Sequence, residues 1–329
     1  MVKPKVLCTR ELPGPAMERL ARETELTLNR ENRPLTQAEL LELVPGKDGL
    51  LSLLTEDINR RVLEAGRPTL KVVSNYAVGF NNIDVKAATE LGILVCNTPG
   101  VLTETTADLA WALIMAVARR VVEGDQFMRA GRYRGWEPQL LLGSDVFGKT
   151  IGIIGLGRIG QAVARRAHGF SMRVLYYDPR RLETDEEKIL GVTYVELPEL
   201  LRESDYVTIH VPLTPETHHL IGEKELRMMK PGAYLINTAR GPIVDETALV
   251  RALAERRIAG AGLDVYENEP AMAPGLAELP NVVLLPHLGS ASRETRERMA
   301  DMAVDNLLSA LRGERPRHLV NPEVLAARA

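Results

Sequence analysis

Cysteine is nearly absent: Cys8 and Cys96 are the only two in 329 residues. That excludes a disulfide scaffold, and the pair fits no metal-binding or redox spacing, so both read as small buried hydrophobes. Neither sign of charge prevails, with 41 Lys and Arg against 44 Asp and Glu and a net charge of -3. No overall field therefore favours nucleic acid or an anionic membrane surface, and a small-molecule partner fits better. The longest wholly apolar run, residues 109–118, is too short to span a bilayer, and the first five residues lack the apolar core of a signal peptide. A cytoplasmic protein without a membrane partner is expected. Low-complexity segments and short-period repeats are also missing.

What is present is an ordinary globular balance, 45% hydrophobic and 26% charged, at a length that suggests about two domains. Short β-branched runs alternate with amphipathic stretches, the pattern of an α/β fold with mainly parallel sheets. A first series of strands is expected at 5–9, 25–28, 49–54, 71–74 and 93–96, with helices at 16–22, 37–43 and 85–90. A long apolar helix is expected over 105–130, followed by an irregular segment at 131–148. A second series of strands is expected at 150–154, 173–177, 206–211, 233–237, 260–265 and 282–285. These make two doubly wound, Rossmann-like domains. A last helix, 292–311, is expected to return to the first of them, with Ser290 as its cap.

The strand at 150–154 runs straight into Gly155-Leu156-Gly157-Arg158-Ile159-Gly160 and then a helix, expected at 161–169. In this context G-x-G-x-x-G gives a tight turn, a close approach to a pyrophosphate and a helix N-terminus with unpaired N–H groups. Asp178 ends the next strand, 23 residues after Gly155, where a carboxylate can accept hydrogen bonds from ribose hydroxyls. The alternative is that Asp178 only caps the turn before Pro179. Asp178 should repel a 2′-phosphate, whereas Arg180 or Arg181 could reach one; repulsion is expected to win, giving NAD(H) preferred and NADP(H) possible.

Ligands of open α/β sheets bind beyond the carboxyl ends of strands. Those ends deliver His210-Val211-Pro212, Thr238-Ala239-Arg240, Asp264 with Glu267 to Glu269, and Pro286-His287. A cation, a carboxylate and an imidazole at one edge suit carbonyl reduction of an acid. Arg240 would hold the carboxylate, His287 would give the proton, and Glu269 would fix the imidazole. On the residues alone Arg240 could instead be a surface ion pair, Glu269 a turn residue before Pro270, and His287 the start of a helix. His218 and His219 are adjacent, which argues against a shared metal face, and no metal is expected.

Several stretches carry a family resemblance over nearly the whole chain. They are Asn75 to Asp84, Thr103 to Asp108, Gly148 to Gly160, Asn237 to Gly241, Gly262 to Val265 with Glu269-Pro270, and Pro286 to Ser290. The sequence resembles the D-2-hydroxyacid dehydrogenases, most closely the glyoxylate/hydroxypyruvate reductase branch. The resemblance implies that Arg240, Glu269 and His287 are catalytic and that the Val78 and Gly79 amides meet the substrate carboxylate. It also implies that Thr106 and Asp264 lie near the nicotinamide and that Thr238 and Ala239 line the coenzyme. With the motif and the strand ends, the coenzyme set becomes Thr106, Gly155, Gly157, Arg158, Ile159, Gly160, Asp178, Pro179, Arg180, Arg181, Val211, Pro212, Thr238, Ala239, Asp264 and Gly289.

Two domains are implied, a discontinuous substrate domain at 1–100 and 288–329 and a coenzyme domain at 101–287. A homodimer through the 105–130 helix is implied as well. So is a role for Trp136 in closing the pocket from the other subunit, although an interface or core tryptophan is the alternative. The expected reaction is reduction of small 2-oxo acids such as glyoxylate and hydroxypyruvate to 2-hydroxy acids. Formate dehydrogenases, which pair the catalytic histidine with Gln, are disfavoured by Glu269. A short-type D-3-phosphoglycerate dehydrogenase and a non-enzymatic NAD-sensing scaffold are the competing readings.

Overall fold

The computed structural model describes residues 2–326. The chain forms two compact units, one from residues up to Leu102 together with those from Ser290 onward, the other from Thr103–Gly289. Both are α/β with parallel sheets, as the alternation of elements predicts.

In the first unit, strands β1 (Lys5–Cys8), β2 (Glu25–Leu28), β3 (Gly49–Ser52), β4 (Val72–Asn75) and β5 (Leu94–Cys96) pair in the order β2-β1-β3-β4-β5. Helices α1 (Ala16–Glu23), α2 (Gln37–Leu43), α3 (Arg60–Ala65) and α4 (Val85–Glu90) connect them. Successive strand residues point to opposite faces, so β1, β3, β4 and β5 feed two cores. Val6, Leu51, Val72 and Leu94 pack with Met299, Ala303 and Leu307 of the returning helix Arg293–Leu311. Leu7, Leu50, Val73 and Val95 pack with Leu40, Leu63 and Ala87 on the other side. The returning helix is capped by Ser292, which accepts the Thr295 N–H at 3.2 Å, rather than by Ser290. Cys8 and Cys96 are free and buried, and burial pushes both thiols up to about 12.

The second unit begins with α5 (Thr103–Ala118) and α6 (Val121–Arg129), then β6 (Thr150–Ile154), α7 (Arg158–Ala167), β7 (Arg173–Tyr177), α8 (Thr184–Leu190) and β8 (Thr193–Tyr194). It continues with α9 (Leu197–Glu203), β9 (Tyr206–Ile209), α10 (Glu223–Met228), β10 (Tyr234–Asn237), α11 (Glu246–Ala254), β11 (Gly260–Leu263) and β12 (Val282–Leu284). The strand order is β12-β11-β10-β9-β6-β7-β8, with every pair parallel. The chain winds outward from β6 through β7 and β8, then returns to β9 on the other side of β6. The ends of β6 and β9 thus flank the switch point, where a crevice for ligand opens in such sheets.

The single helix expected over 105–130 is two helices. Arg120 takes a left-handed conformation at φ 52°, and its guanidinium binds Glu123. The returning chain satisfies the end of α5, with the Ser144 N–H donating to the Ala118 carbonyl at 2.8 Å. The two helices differ in their surroundings. α5 lies inside its own unit, where Trp111 stacks on Phe170 at 4.7 Å and Leu113 lies against the backbone of Gly262. α6 buries no residue in the single chain. Among the described residues, no helix is long and apolar enough to cross a membrane.

Candidate active site

At the switch point β6 enters its turn at Gly155, whose φ of 92° favours glycine and whose N–H donates to the Tyr177 carbonyl at 2.8 Å. A Cβ at Gly160 would lie 2.1 Å from the Gly155 carbonyl oxygen, so only glycine lets α7 start this close to the strand. Gly157 caps α7, and a Cβ there would meet nothing within 4 Å, leaving its backbone open to a ligand. The helix begins directly at Arg158 and Ile159, three residues earlier than its periodicity suggests. Next to this turn the Asp178 carboxylate accepts the Leu156 N–H at 2.8 Å and the Arg180 N–H at 2.9 Å. Asp178, directly after β7, therefore holds the glycine turn.

Val211, buried, and Pro212, exposed, follow β9 on the other side of the crevice. Thr238 follows β10 and is 8% exposed, with a hydroxyl that is buried and has no hydrogen-bond partner in the protein. An orphaned hydroxyl of this kind needs a partner. With the open backbone at Gly157 and the positive end of α7, it fits a dinucleotide coenzyme.

Arg240 is set by its neighbours. Asn237, the last residue of β10, donates its Nδ2 to the Arg240 carbonyl at 2.9 Å and accepts the Ala239 N–H at 3.0 Å. The Arg240 guanidinium donates to the Ala239 carbonyl at 2.7 Å. Burial pushes this guanidinium below its ordinary value, opposed by the Glu269 charge. After β12 the chain turns at His287, at φ 58°, and the His287 N–H donates to the Asp264 carbonyl at 2.9 Å. Asp264, wholly buried, accepts the N–H groups of Leu288 at 2.6 Å and Gly289 at 2.7 Å. The Thr106 hydroxyl donates to the Gly289 carbonyl at 2.9 Å. Asp264 and Thr106 thus hold the turn that carries the imidazole, a supporting task that spacing alone does not reveal.

His287 Nδ1 and Glu269 Oε2 are 2.9 Å apart, while Glu269 Oε1 accepts the Tyr266 N–H at 3.1 Å. Burial raises the Glu269 carboxyl, but the His287 hydrogen bond and charge, the Tyr266 N–H and the Arg240 charge outweigh it and hold the group below its ordinary value. In the second unit the carboxyl ends of β10, β11 and β12 therefore bring Arg240, Glu269 and His287 to one edge. In the first unit, side-chain amides pin the loop after β4. Asn97 donates to the Val78 carbonyl at 2.7 Å and Asn75 to the Gly79 carbonyl at 2.9 Å, while neither the Val78 nor the Gly79 N–H donates to a described residue.

The profile described as "D-isomer specific 2-hydroxyacid dehydrogenase, NAD binding domain" matches residues 111–289. The chain belongs to this family. It is an NAD(P)-dependent oxidoreductase of the 2-hydroxyacid dehydrogenase type. It is 55% identical over 329 residues to the glyoxylate reductase of Korarchaeum cryptofilum, covering 99% of this chain and 98% of that one. Among solved structures it resembles the TT0316 protein of Thermus thermophilus, with a TM-score of 0.89, 49% identity, and coverage of 96% of this chain and 99% of that one. It also resembles the NADPH-dependent glyoxylate/hydroxypyruvate reductase of Sinorhizobium meliloti in complex with NADP and malonate, with a TM-score of 0.84, 34% identity and 97% of each chain covered.

The remaining candidates have surroundings that their spacing does not reveal. Arg181 does not stand free beside the adenosine position: its guanidinium binds Glu187 at 2.9 and 3.1 Å. Adjacency does not separate His218 from His219, because His219 takes φ 52° and the two rings lie 4.0 Å apart. Their nitrogens and a Glu267 oxygen fall within 4.8 Å of one another, and His219 Nε2 is hydrogen-bonded to Glu267 at 2.7 Å. Trp136 is 82% exposed in the single chain, which removes the reading of a core tryptophan.

Proposed function

We propose that the protein reduces glyoxylate and hydroxypyruvate to the corresponding 2-hydroxy acids, with Arg240, Glu269 and His287 as the catalytic set. The observation that carries this reading is the Glu269–His287 hydrogen bond on the sheet edge that also presents Arg240. A nicotinamide coenzyme, when bound, supplies the hydride. Arg240 binds the substrate carboxylate, and its burial strengthens that attraction. The Val78 and Gly79 N–H groups are further donors for a carboxylate. His287 gives a proton from Nε2 to the carbonyl oxygen, while the Nδ1 contact to Glu269 fixes the tautomer and steadies the imidazolium. The coenzyme contacts fall on the Gly155–Gly160 turn, Asp178, Pro179, Arg180, Val211, Pro212, Thr238, Ala239 and Gly289, with Thr106 and Asp264 behind the His287 turn.

Asp178 supports a preference for NADH over NADPH, because its carboxylate repels a 2′-phosphate. A homodimer is supported by the apolar side chains left open around α6 and the following arm. Val121, Met128, Leu142 and Phe147 are 55%, 58%, 65% and 70% exposed, respectively. Trp136 on the same arm would then reach the partner's pocket. The phosphoglycerate dehydrogenase and scaffold readings are not favoured, since full-length relatives at about half identity are glyoxylate reductases. Steady-state rates on glyoxylate, hydroxypyruvate, 3-phosphohydroxypyruvate and longer 2-oxo acids, each with NADH and NADPH, test the assignment. Short acids should lead, and a leading rate on the phosphorylated acid would replace this reading.

A further inference from the structure

Two arginines follow Asp178, and the structure treats them differently. Arg180 is exposed, and its guanidinium has no partner among the described residues. Arg181 Nε and Nη2 donate to Glu187 Oε1 and Oε2 at 2.9 and 3.1 Å, and the guanidinium lies over the Tyr194 ring at 5.1 Å. Glu187, on α8, is only 8% exposed and is itself held in place. The Tyr176 hydroxyl donates to its Oε1 at 2.7 Å and accepts the Leu182 N–H at 2.9 Å. Two parallel charge-assisted bonds to a planar fork, backed by an aromatic face, fix an arginine far better than a surface ion pair does. The Nε–Nη2 edge of the Arg181 guanidinium and one of its faces are committed in this way, which anchors the side chain to Glu187 and Tyr194.

We infer that Glu187 is a positioning residue for coenzyme choice, a latch that draws Arg181 away from the 2′-phosphate of an adenosine ribose bound at Asp178. The inference rests on the coenzyme site proposed above. Discrimination against NADPH then has two parts. One is repulsion by Asp178; the other is withdrawal of the cation that could offset it, three residues further along the chain. Only Arg180 is left to tolerate the phosphate.

The test measures direct binding of NADH, NADPH, 5′-AMP and 2′,5′-ADP by calorimetry to the parent, Glu187→Gln, Arg181→Ala and the double variant. In Glu187→Gln the shape is kept and the charge is lost, so affinity for NADPH and 2′,5′-ADP should rise about tenfold relative to NADH and 5′-AMP. Adding Arg181→Ala should abolish that gain. In the parent background, Arg181→Ala should leave the NADPH-to-NADH affinity ratio within about twofold, because the latched side chain contributes nothing to it. A purely structural Glu187 would weaken all four ligands alike, and that result overturns the latch. So does an unchanged ratio in Glu187→Gln with NADH binding intact. If Glu187→Gln fails to fold, Arg181→Ala alone decides, since a large loss of NADPH affinity in that exposed position would show Arg181 already on the phosphate. A parent that binds neither dinucleotide overturns the coenzyme site itself, whereas a parent that binds NADH without the predicted shift overturns the latch alone.

Discussion

His287 Nδ1 sits 2.9 Å from Glu269 Oε2, and the two residues come from different strand ends. The imidazole is fixed from its backbone as well, through the His287 N–H on the Asp264 carbonyl and the Leu288 and Gly289 N–H groups on the Asp264 carboxylate. The proton donor is therefore held at both ends before any substrate arrives, which is the preorganisation that makes proton transfer effective.

The Glu269 carboxyl lies below its ordinary value of 4.5, because the His287 and Tyr266 hydrogen bonds and the Arg240 charge outweigh burial. A carboxyl shifted downward stays ionised above that value and is neutralised only as pH falls through its lowered one. The pair is thus intact from neutrality down past pH 4.5. The pH profile of glyoxylate reduction should show no acid limb from this group above 4.5, and Glu269→Gln should lower turnover by at least about tenfold at every pH in that range. An acid limb above 4.5 that disappears in Glu269→Gln would contradict the assignment.

His210, next to β9, carries a different pH signature. Burial lowers its imidazole from 6.5 to about 3, and Nε2 is 2.9 Å from the Thr208 hydroxyl. Between those values the unfolded chain takes up a proton that the folded chain refuses. Stability should therefore fall as pH drops from 6.5 towards 3, by up to about 1.4 kcal/mol per pH unit, and this contribution should stop changing below that. Denaturant unfolding at pH 7 and pH 5 checks this. His210→Gln should unfold with a shallower pH dependence than the parent; equal slopes would place the histidine in a more solvated setting.

Trp136 is 82% exposed in the single chain, so its removal should cost little intrinsic stability. If it covers the partner's pocket, Trp136→Ala should raise the rate on longer 2-oxo acids relative to glyoxylate, with the melting temperature nearly unchanged. Equal loss on every chain length would assign it to packing between subunits instead.

The sheet edge was legible because its signals are local. The β6 strand, the glycine turn and Asp178 sit within one βαβ stretch, and polar residues directly after apolar strands mark Arg240 and His287. What the sequence hid was set by tertiary contacts. The break at Arg119-Arg120 contains neither Gly nor Pro, and it depends on residues 143–144 returning to the end of α5. α3 and the two-residue β8 are too short for periodicity to show. The commitment of Arg181 depends on Glu187 one helix away, and the meeting of His218 with His219 depends on a left-handed turn that residues other than glycine take only at a few per cent of positions.

The most direct test of the central claim is glyoxylate-dependent NADH oxidation by the parent and by His287→Ala, measured beside the NADH dissociation constant of each. The parent should turn over glyoxylate, and His287→Ala should bind NADH equally well while losing about 10²- to 10⁴-fold in kcat. Near-parental turnover in His287→Ala with NADH bound would contradict the account, because the proton would then come from another group.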